Sequence, residues 1–175
     1  MPDLPDRAEP PARPAEGAEG STPGLDALVH EHMLLLRHAV HGLGAYRRPD
    51  ALDRSAVILL ARLDAQGPMT MAELAAAFGL DVSTLQRQLT AAGRAGLVER
   101  IRDPDGGQAR RFRPTDAGRA ALQDELAARR AAAARVTAAW PAEDVAALAA
   151  LMRRFNESVE DLREQPWPRE GGISR

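Results

Sequence analysis

The chain has 175 residues, of which 45% are hydrophobic and only 3% aromatic, and its formal net charge is −2. Because it contains no cysteine, disulfides, thiolate metal sites and thiol-based redox sensing are excluded. No run approaches the roughly 18 apolar residues of a membrane span, and the N-terminus is acidic and proline-rich, unlike a signal peptide. These features predict one domain with a sizeable core, in the cytoplasm and away from membranes.

Both ends of the chain have the composition of tails. Residues 1–22 are rich in proline and acidic side chains and bury too little apolar area to fold alone, so we expect them to be disordered. Residues 166–175 predict a second, flexible tail, in which Trp167 offers a ring that could dock on a neighbouring surface.

The segment 23–50 predicts a dimerisation helix, running from about Leu25 to Tyr46. Leucine, valine and methionine recur on it at three- and four-residue spacing and widen into more than one stripe. A helix this apolar must be covered on more than one side, which favours a subunit interface. The residues that we expect at this interface are Leu25, Leu28, Val29 and Leu36.

All the histidines of the chain, His30, His32, His38 and His41, lie in this helix. His38 and His41 are neighbours on a helical wheel and could begin a metal site if Glu31 or a partner subunit added ligands. No HxxxH pair or cluster of carboxylates supports such a site, so we favour interface histidines and predict no cofactor. A metal-responsive protein that uses the segment His30 to His41 remains an alternative.

A short helix is predicted after Thr70. The Thr70 hydroxyl can accept from the Glu73 amide while the Glu73 carboxylate reaches back, which is a capping box that starts a helix at Met71. Gly79 lies where a C-terminal glycine permits a positive φ, so this helix ends near Phe78.

A second helix follows after a tight turn. Asp81 suits an N-cap, and the helix runs to about Ala95 with Leu85 and Leu89 pointing into the core. A short helix, a turn and a longer helix with polar groups near its start form the layout of a DNA-recognition helix. We predict that Thr70, at the start of the first helix, contacts DNA. The second helix supplies the other predicted contacts, of which Arg87 is the strongest candidate: Val82, Ser83, Thr84, Gln86, Arg87 and Gln88.

The period then changes to that of strands. Residues 97–102 alternate, residues 111–113 read as their partner, and the intervening Asp-Pro-Asp-Gly-Gly at 103–107 is strong turn chemistry. This predicts a β-hairpin wing, and with the two helices a winged helix-turn-helix DNA-binding module over 51–118. The fold class is therefore mainly α with a small β-hairpin wing.

Basic charge is concentrated in this module. From Thr84 to Thr115 there are seven arginines and three acids, a net charge of +4 in a chain whose total is −2. A local excess of this kind is the footprint of an element that faces phosphate. One set of wing arginines is expected to contact phosphate while the other pairs with Asp103 or Asp105. The predicted wing contacts with DNA are Gln108, Arg110 and Arg111.

The segment 115–165 predicts C-terminal dimerisation helices, with Pro141 near the start of the last one. Apolar residues again recur at helical spacing, and a small winged module cannot cover these stripes together with that of the first helix. We therefore expect an interlocked helical dimerisation region built from both ends of the chain. The expected C-terminal interface residues are Leu148, Met152, Phe155, Val159 and Leu162.

The runs LAAAFGLDVSTLQRQL, GLVERIRDPDG and PTDAGR resemble the MarR family of bacterial transcription regulators over about residues 52 to 120. The resemblance implies a homodimer that binds a pseudo-palindromic double-stranded DNA operator, acts most often as a repressor, and is released by a small lipophilic or phenolic effector. The wing tip departs from the family pattern. Gly106, Gly107 and Gln108 stand where an Asp followed by Arg is usual, so Gln108 or Arg110 would have to replace the missing cation in the minor groove.

The sequence also bears on two other classes of function, an enzyme and a protein-docking module. The chain shows no nucleophile–base constellation and no phosphate-cradling glycine loop, so an enzyme is not expected. A winged helix that docks on another protein without touching DNA is a more serious alternative, because the wing tip lacks its usual arginine. Salt dependence separates the two, since a DNA binder loses affinity steeply as salt rises.

Overall fold

The computed structural model describes residues 23–41, 51–103 and 106–169, with the backbone alone at 39–41. The chain divides into two compact units, Met1–His41 and Gly42–Arg175. The predicted N-terminal tail, the predicted extension of the first helix to Tyr46, and the wing-tip residues Pro104 and Asp105 lie outside the described residues.

The first unit contains helix α1, Leu25–His41. Its first turn carries Asp26, a charge that favours a helix N-terminus. The predicted interface residues on α1 are exposed in the single chain, which leaves their part in an interface as a prediction: Leu25, Leu28, Val29 and Leu36.

The second unit is mainly helical and carries one small three-stranded sheet. This confirms the predicted fold class of a helical protein with a β-hairpin wing. Its elements are α2 (Arg54–Gln66), β1 (Met69–Thr70), α3 (Met71–Phe78), α4 (Val82–Arg94), β2 (Val98–Arg102), β3 (Arg110–Pro114), α5 (Asp116–Val136) and α6 (Ala142–Arg163).

The predicted limits of the two central helices are confirmed at their caps. The Glu73 amide donates to Thr70 Oγ1 at 3.2 Å, and the Thr70 amide donates to Glu73 Oε2 at 2.7 Å, so α3 begins with the expected capping box. Gly79 ends α3 in the left-handed region with φ 60°. Asp81 caps α4 by accepting from the Thr84 amide at 2.8 Å.

The sheet has the order β1-β3-β2, and both pairings are antiparallel. The hairpin of β2 and β3 is as predicted, with Arg100 opposite Phe112. Strand β1 was not predicted, because its two residues carry no alternation and its pairing of Met69 with Phe112 depends on residues more than 40 positions away. It fixes the start of α3 to the wing.

The core lies under α4, on the side opposite its polar face. Leu85 and Leu89 of α4 are buried, as predicted, in one cluster with leucines of α2 and α3 and with Leu122 of α5. Burying a leucine is worth about 2 kcal/mol, so these contacts hold α4 on the module. The fully buried side chains are Leu59, Leu60, Leu63, Leu74, Leu85 and Leu122.

Gly96 and Leu97 join three elements at one point. The Leu97 amide donates to the Ala92 carbonyl at the end of α4 at 2.9 Å, and its carbonyl accepts from the Thr115 amide at the start of α5 at 3.0 Å. The Thr115 hydroxyl also donates to the Gly96 carbonyl at 2.6 Å. A Cβ atom at Gly118 would overlap the Leu97 carbonyl oxygen, so only glycine permits this approach of α5.

Helix α6 buries none of its residues within the described chain. Its apolar side chains at Leu148, Met152, Phe155 and Leu162 are exposed, and Val159 is half-buried. In the described part of the chain, no helix has the length and apolar character needed to cross a membrane.

The C-terminal segment differs from the flexible tail expected over 166–175. Residues 166–169 fold back after α6, and the Pro166 carbonyl accepts from Arg62 Nη1 of α2 at 2.8 Å. The predicted docking of Trp167 is confirmed, because its ring lies beside Phe78 with centroids 6.3 Å apart. Composition alone predicted a mobile tail. It does not reveal these contacts, because their partners lie far away in the sequence. Residues 170–175 lie outside the described residues.

A glycine comparison tests the three-way junction at Gly96 and Leu97. Gly118→Ala should lower the free energy of unfolding by about 2 kcal/mol or more, because the new methyl group overlaps the Leu97 carbonyl. Gly93→Ala is the matched control, since its Cβ would lie 3.8 Å from the Val98 carbonyl in ordinary contact and should stabilise α4 by up to about 1 kcal/mol. Urea unfolding followed by circular dichroism measures both, and equal effects would contradict the junction.

Candidate nucleic-acid interface

The outer face of α4 collects the predicted recognition residues. Leu85, Leu89 and Ala92 face the core, so the opposite side of the helix is left to polar groups. Val82, Ser83, Gln86 and Arg87 are exposed, and Thr84 and Gln88 are half-buried. The helix thus presents its first two turns to the surroundings on a rigid base.

A hydrogen-bond network organises the start of this face. The Asp81 carboxylate accepts from the Ser83 hydroxyl at 2.5 Å and from the Thr84 hydroxyl at 2.7 Å. Thr84 Oγ1 in turn accepts from Arg87 Nη2 at 3.1 Å. The hydrogen bonds from Ser83 and then Thr84 hold the pKa of Asp81 well below its usual range, so the carboxylate stays charged at neutral pH.

The network gives Arg87 a preferred position in a protein without DNA. A guanidinium held by a neighbouring hydroxyl loses less conformational entropy on binding than a free arginine side chain. Arginine is also the residue that pairs with the O6 and N7 acceptors of guanine in the major groove. The face therefore carries a cation, hydroxyls and amides, which are the groups that read base edges.

Two arginines lie opposite each other near the tip of the wing. Arg102 and Arg110 are cross-strand partners, both are exposed, and neither makes an ion pair with another residue of the described ranges. With Gly107, Gln108 and Ala109 they line an open depression of about 320 Å³. Like charges in direct cross-strand register are unfavourable, and an anion between them would remove the repulsion. A backbone phosphate is such an anion.

Arg111, the neighbour of Arg110, points to the other side of β3 and is engaged within the module. Its Nε donates to Asp103 Oδ1 at 2.8 Å, and its Nη1 donates to Glu73 Oε2 at 3.2 Å and to the Pro68 carbonyl at 3.1 Å. The expectation that one set of wing arginines pairs with Asp103 is thereby confirmed for Arg111. Its contact with DNA stays a prediction.

The remaining wing and cap residues have clear local surroundings. Gln108 is exposed beside the depression, and Gly107 passes so near Asp103 that a Cβ atom there would overlap the carboxylate. The uncharged tip thus accommodates the Asp103–Arg111 pair. The Thr70 hydroxyl accepts the Glu73 amide as an N-cap, and its contact with phosphate stays a prediction.

The histidines form no recognisable metal site in the described ranges. No group of three or more His, Cys, Asp or Glu side chains there is arranged to hold a metal ion. His30, His32 and His38 are exposed on α1, and the predicted partner of His38, the side chain of His41, lies outside the described residues.

The arrangement of α3, α4 and the β2–β3 hairpin defines a winged helix-turn-helix protein. A model of the MarR family matches residues 52–109, which span α2 to the tip of the wing. The uncharacterized HTH-type transcriptional regulator YxaD of Bacillus subtilis (strain 168) is 30% identical over 137 residues, covering 78% of this chain and 96% of that protein. The chain belongs to the MarR family of transcription regulators, as the sequence motifs predicted.

Solved structures agree on the fold. A crystal structure of a MarR family transcription regulator superimposes with a TM-score of 0.65 at 21% identity, covering 81% of this chain and 94% of that one. A cysteine-to-serine mutant of MarR from E. coli, complexed with operator DNA, superimposes with a TM-score of 0.56 at 19% identity, covering 77% of this chain and 99% of that one.

The two neighbouring arginines of β3 should separate stability from DNA binding. Arg111→Gln should lower the free energy of unfolding by at least about 1 kcal/mol, because it removes the ion pair that Arg111 makes with the largely buried Asp103 carboxylate. Arg110→Gln, the matched control, should leave the stability unchanged or raise it slightly, because it removes the repulsion from Arg102. Calorimetry checks both variants, and an Arg111→Gln protein as stable as the wild type would contradict the internal role.

Proposed function

We propose that this chain is a homodimeric repressor that binds a pseudo-palindromic operator through α4 in the major groove and is released by a small lipophilic or phenolic ligand. The observation that carries the proposal is the outer face of α4, where Arg87 is held by Thr84 on a helix fixed by buried leucines. A preorganised donor on a rigid helix is the arrangement that direct reading of base edges requires.

The wing would extend the DNA-binding surface formed by α4. Arg102 and Arg110 would contact phosphate at the side of the groove in which α4 lies, while Gln108 would approach the minor groove. Because the wing tip carries no cation of its own at Gly106 and Gly107, sequence preference should depend mainly on α4.

Dimerisation is supported by the apolar side chains that the single chain leaves exposed. Met33 and Leu36 on α1, and Leu151 and Met152 on α6, are each between 44% and 58% exposed. A second copy that covers such side chains gains hydrophobic free energy, and a two-fold dimer would place two α4 helices in successive major grooves, roughly 10 bp apart.

A ligand that releases the protein from DNA would act by changing the distance between those two helices. A ligand shifts the protein away from DNA only by as much as it prefers the conformation that cannot bind the operator. A docking module for another protein is the alternative, and the uncharged wing tip is the feature that favours it. Failure of the purified protein to bind any duplex at low salt would support that alternative.

Arg87 should determine both affinity and sequence preference. Arg87→Ala should weaken operator binding by about 1 to 3 kcal/mol and reduce discrimination against altered bases, because it removes the donor that faces the base edges. Arg110→Ala, as the comparison, should weaken all duplexes similarly, because phosphates carry no sequence information. Fluorescence anisotropy with operator and scrambled duplexes measures this, and full discrimination by Arg87→Ala would contradict the assignment of α4.

A charge placed on the apolar side of α6 should separate the subunits. Met152→Glu would bury a carboxylate in the proposed interface, so the protein should sediment as a monomer and lose at least about tenfold in operator affinity. Arg154→Glu changes the charge on another side of the same helix and should remain dimeric. Sedimentation velocity decides between them, and an unchanged Met152→Glu dimer would place the interface elsewhere.

A further inference from the structure

The segment after α6 packs against α2 and α3 through the aromatic side chain of Trp167. The Arg62 guanidinium of α2 lies over the Trp167 ring, 5.3 Å from its centroid, and the ring also lies beside Phe78 at the end of α3. Arg62 Nη1 donates to the Pro166 carbonyl at 2.8 Å. We call residues 165–169 the C-terminal clasp.

The clasp is also fastened to α6 itself. The Glu160 carboxylate accepts from the Trp167 amide at 3.0 Å and from both terminal nitrogens of Arg169, at 2.5 and 2.6 Å. The hydrogen bond from Arg169 holds the pKa of Glu160 below its usual value, so the Glu160 carboxylate is charged at neutral pH. The chain turns back at Glu164, which has a positive φ of 54°. The clasp is therefore fixed to the end of α6 and to the module at once.

Arg62 stands out among the residues of the module. It is only 7% exposed, and its Nε has no hydrogen-bond partner in the described chain. Burying a guanidinium is costly unless a ring, a carbonyl or an opposite charge compensates. The clasp supplies the ring and the carbonyl, through Trp167 and Pro166, and Glu160 of α6 supplies the nearby opposite charge. An aliphatic residue would fill a core position of α2 without this cost, so the arginine fits a role in holding the clasp.

We propose that Arg62 and Trp167 are positioning residues for operator binding, because the clasp fixes the end of α6 against α2 and α3 and so sets the direction in which α4 points. The inference rests on the proposed function. In a dimer built through α6, this direction determines the distance between the two α4 helices. An intact clasp makes the protein selective for one spacing of the half-sites, and an open clasp makes it tolerant of several.

The first experiment tests the clasp without DNA. The chain has two tryptophans, so a Trp140→Phe background leaves Trp167 as the single fluorescent indole. Adding Arg62→Gln should shift its emission to longer wavelength and increase quenching by acrylamide. The control is Arg54→Gln, an exposed arginine at the start of the same helix, which should change neither signal. An unchanged spectrum in Arg62→Gln would overturn the clasp.

The second experiment measures spacing preference with the full-length protein. Duplexes carry the two half-sites at the natural spacing or moved by one or two base pairs, and anisotropy gives the Kd for each. The wild type should prefer the natural spacing by about tenfold or more, whereas Trp167→Ala and Arg62→Gln should each reduce that preference to about threefold or less. Trp167→Phe retains a ring over Arg62 and should restore most of it.

The outcomes separate the two proposals. If the wild type binds no duplex, the proposed function fails, and the spacing role fails with it, while the fluorescence result still decides whether the clasp exists. If the wild type binds but Trp167→Ala, still folded and dimeric, keeps the same preference for spacing, the positioning role is wrong. A general loss of affinity with unchanged preference in that variant also counts against it, because a merely structural contact would produce that result.

Discussion

The Leu97 carbonyl lies so near Gly118 that no side chain fits between them, and the orientation of the proposed DNA-binding surface depends on this approach. The same two-residue turn, Gly96 and Leu97, receives Thr115 at the start of α5 and closes the end of α4 through Ala92. Helix α4, the wing and α5 are therefore held together at this point. A rigid junction of this kind lets a few exposed groups on α4 keep a fixed position relative to the wing arginines.

The arginines of the wing have two different roles, one inside the module and one at its surface. Arg111 lies inward, between Asp103 and Glu73, and holds the wing to the start of α3. Arg110, one residue away, is exposed opposite Arg102, where two cations in register favour an anion between them. The alternation of side chains along a strand separates these roles. A count of arginines in the module therefore overstates the number available to DNA.

Local chemistry made much of the module predictable, and distant contacts account for what was missed. The caps at Thr70 and Asp81 involve partners three residues away, so their spacing appears in the sequence. Strand β1 and the clasp pair residues far apart in the sequence: Met69 pairs with Phe112, and Arg62 donates to Pro166, 104 positions away. No local pattern encodes such pairings. The motifs around α4 predicted the family, which the comparisons confirm, whereas individual DNA contacts remain predictions.

In the proposed function, two copies of this rigid module read one operator from successive major grooves. Hydroxyl-radical footprinting of the purified full-length protein, on the DNA upstream of its own gene, tests it most directly. We expect protected patches related by two-fold symmetry, with centres about one helical turn apart, that fade as salt rises. A single unsymmetrical patch, or no protection at low salt on any fragment of that DNA, would contradict it.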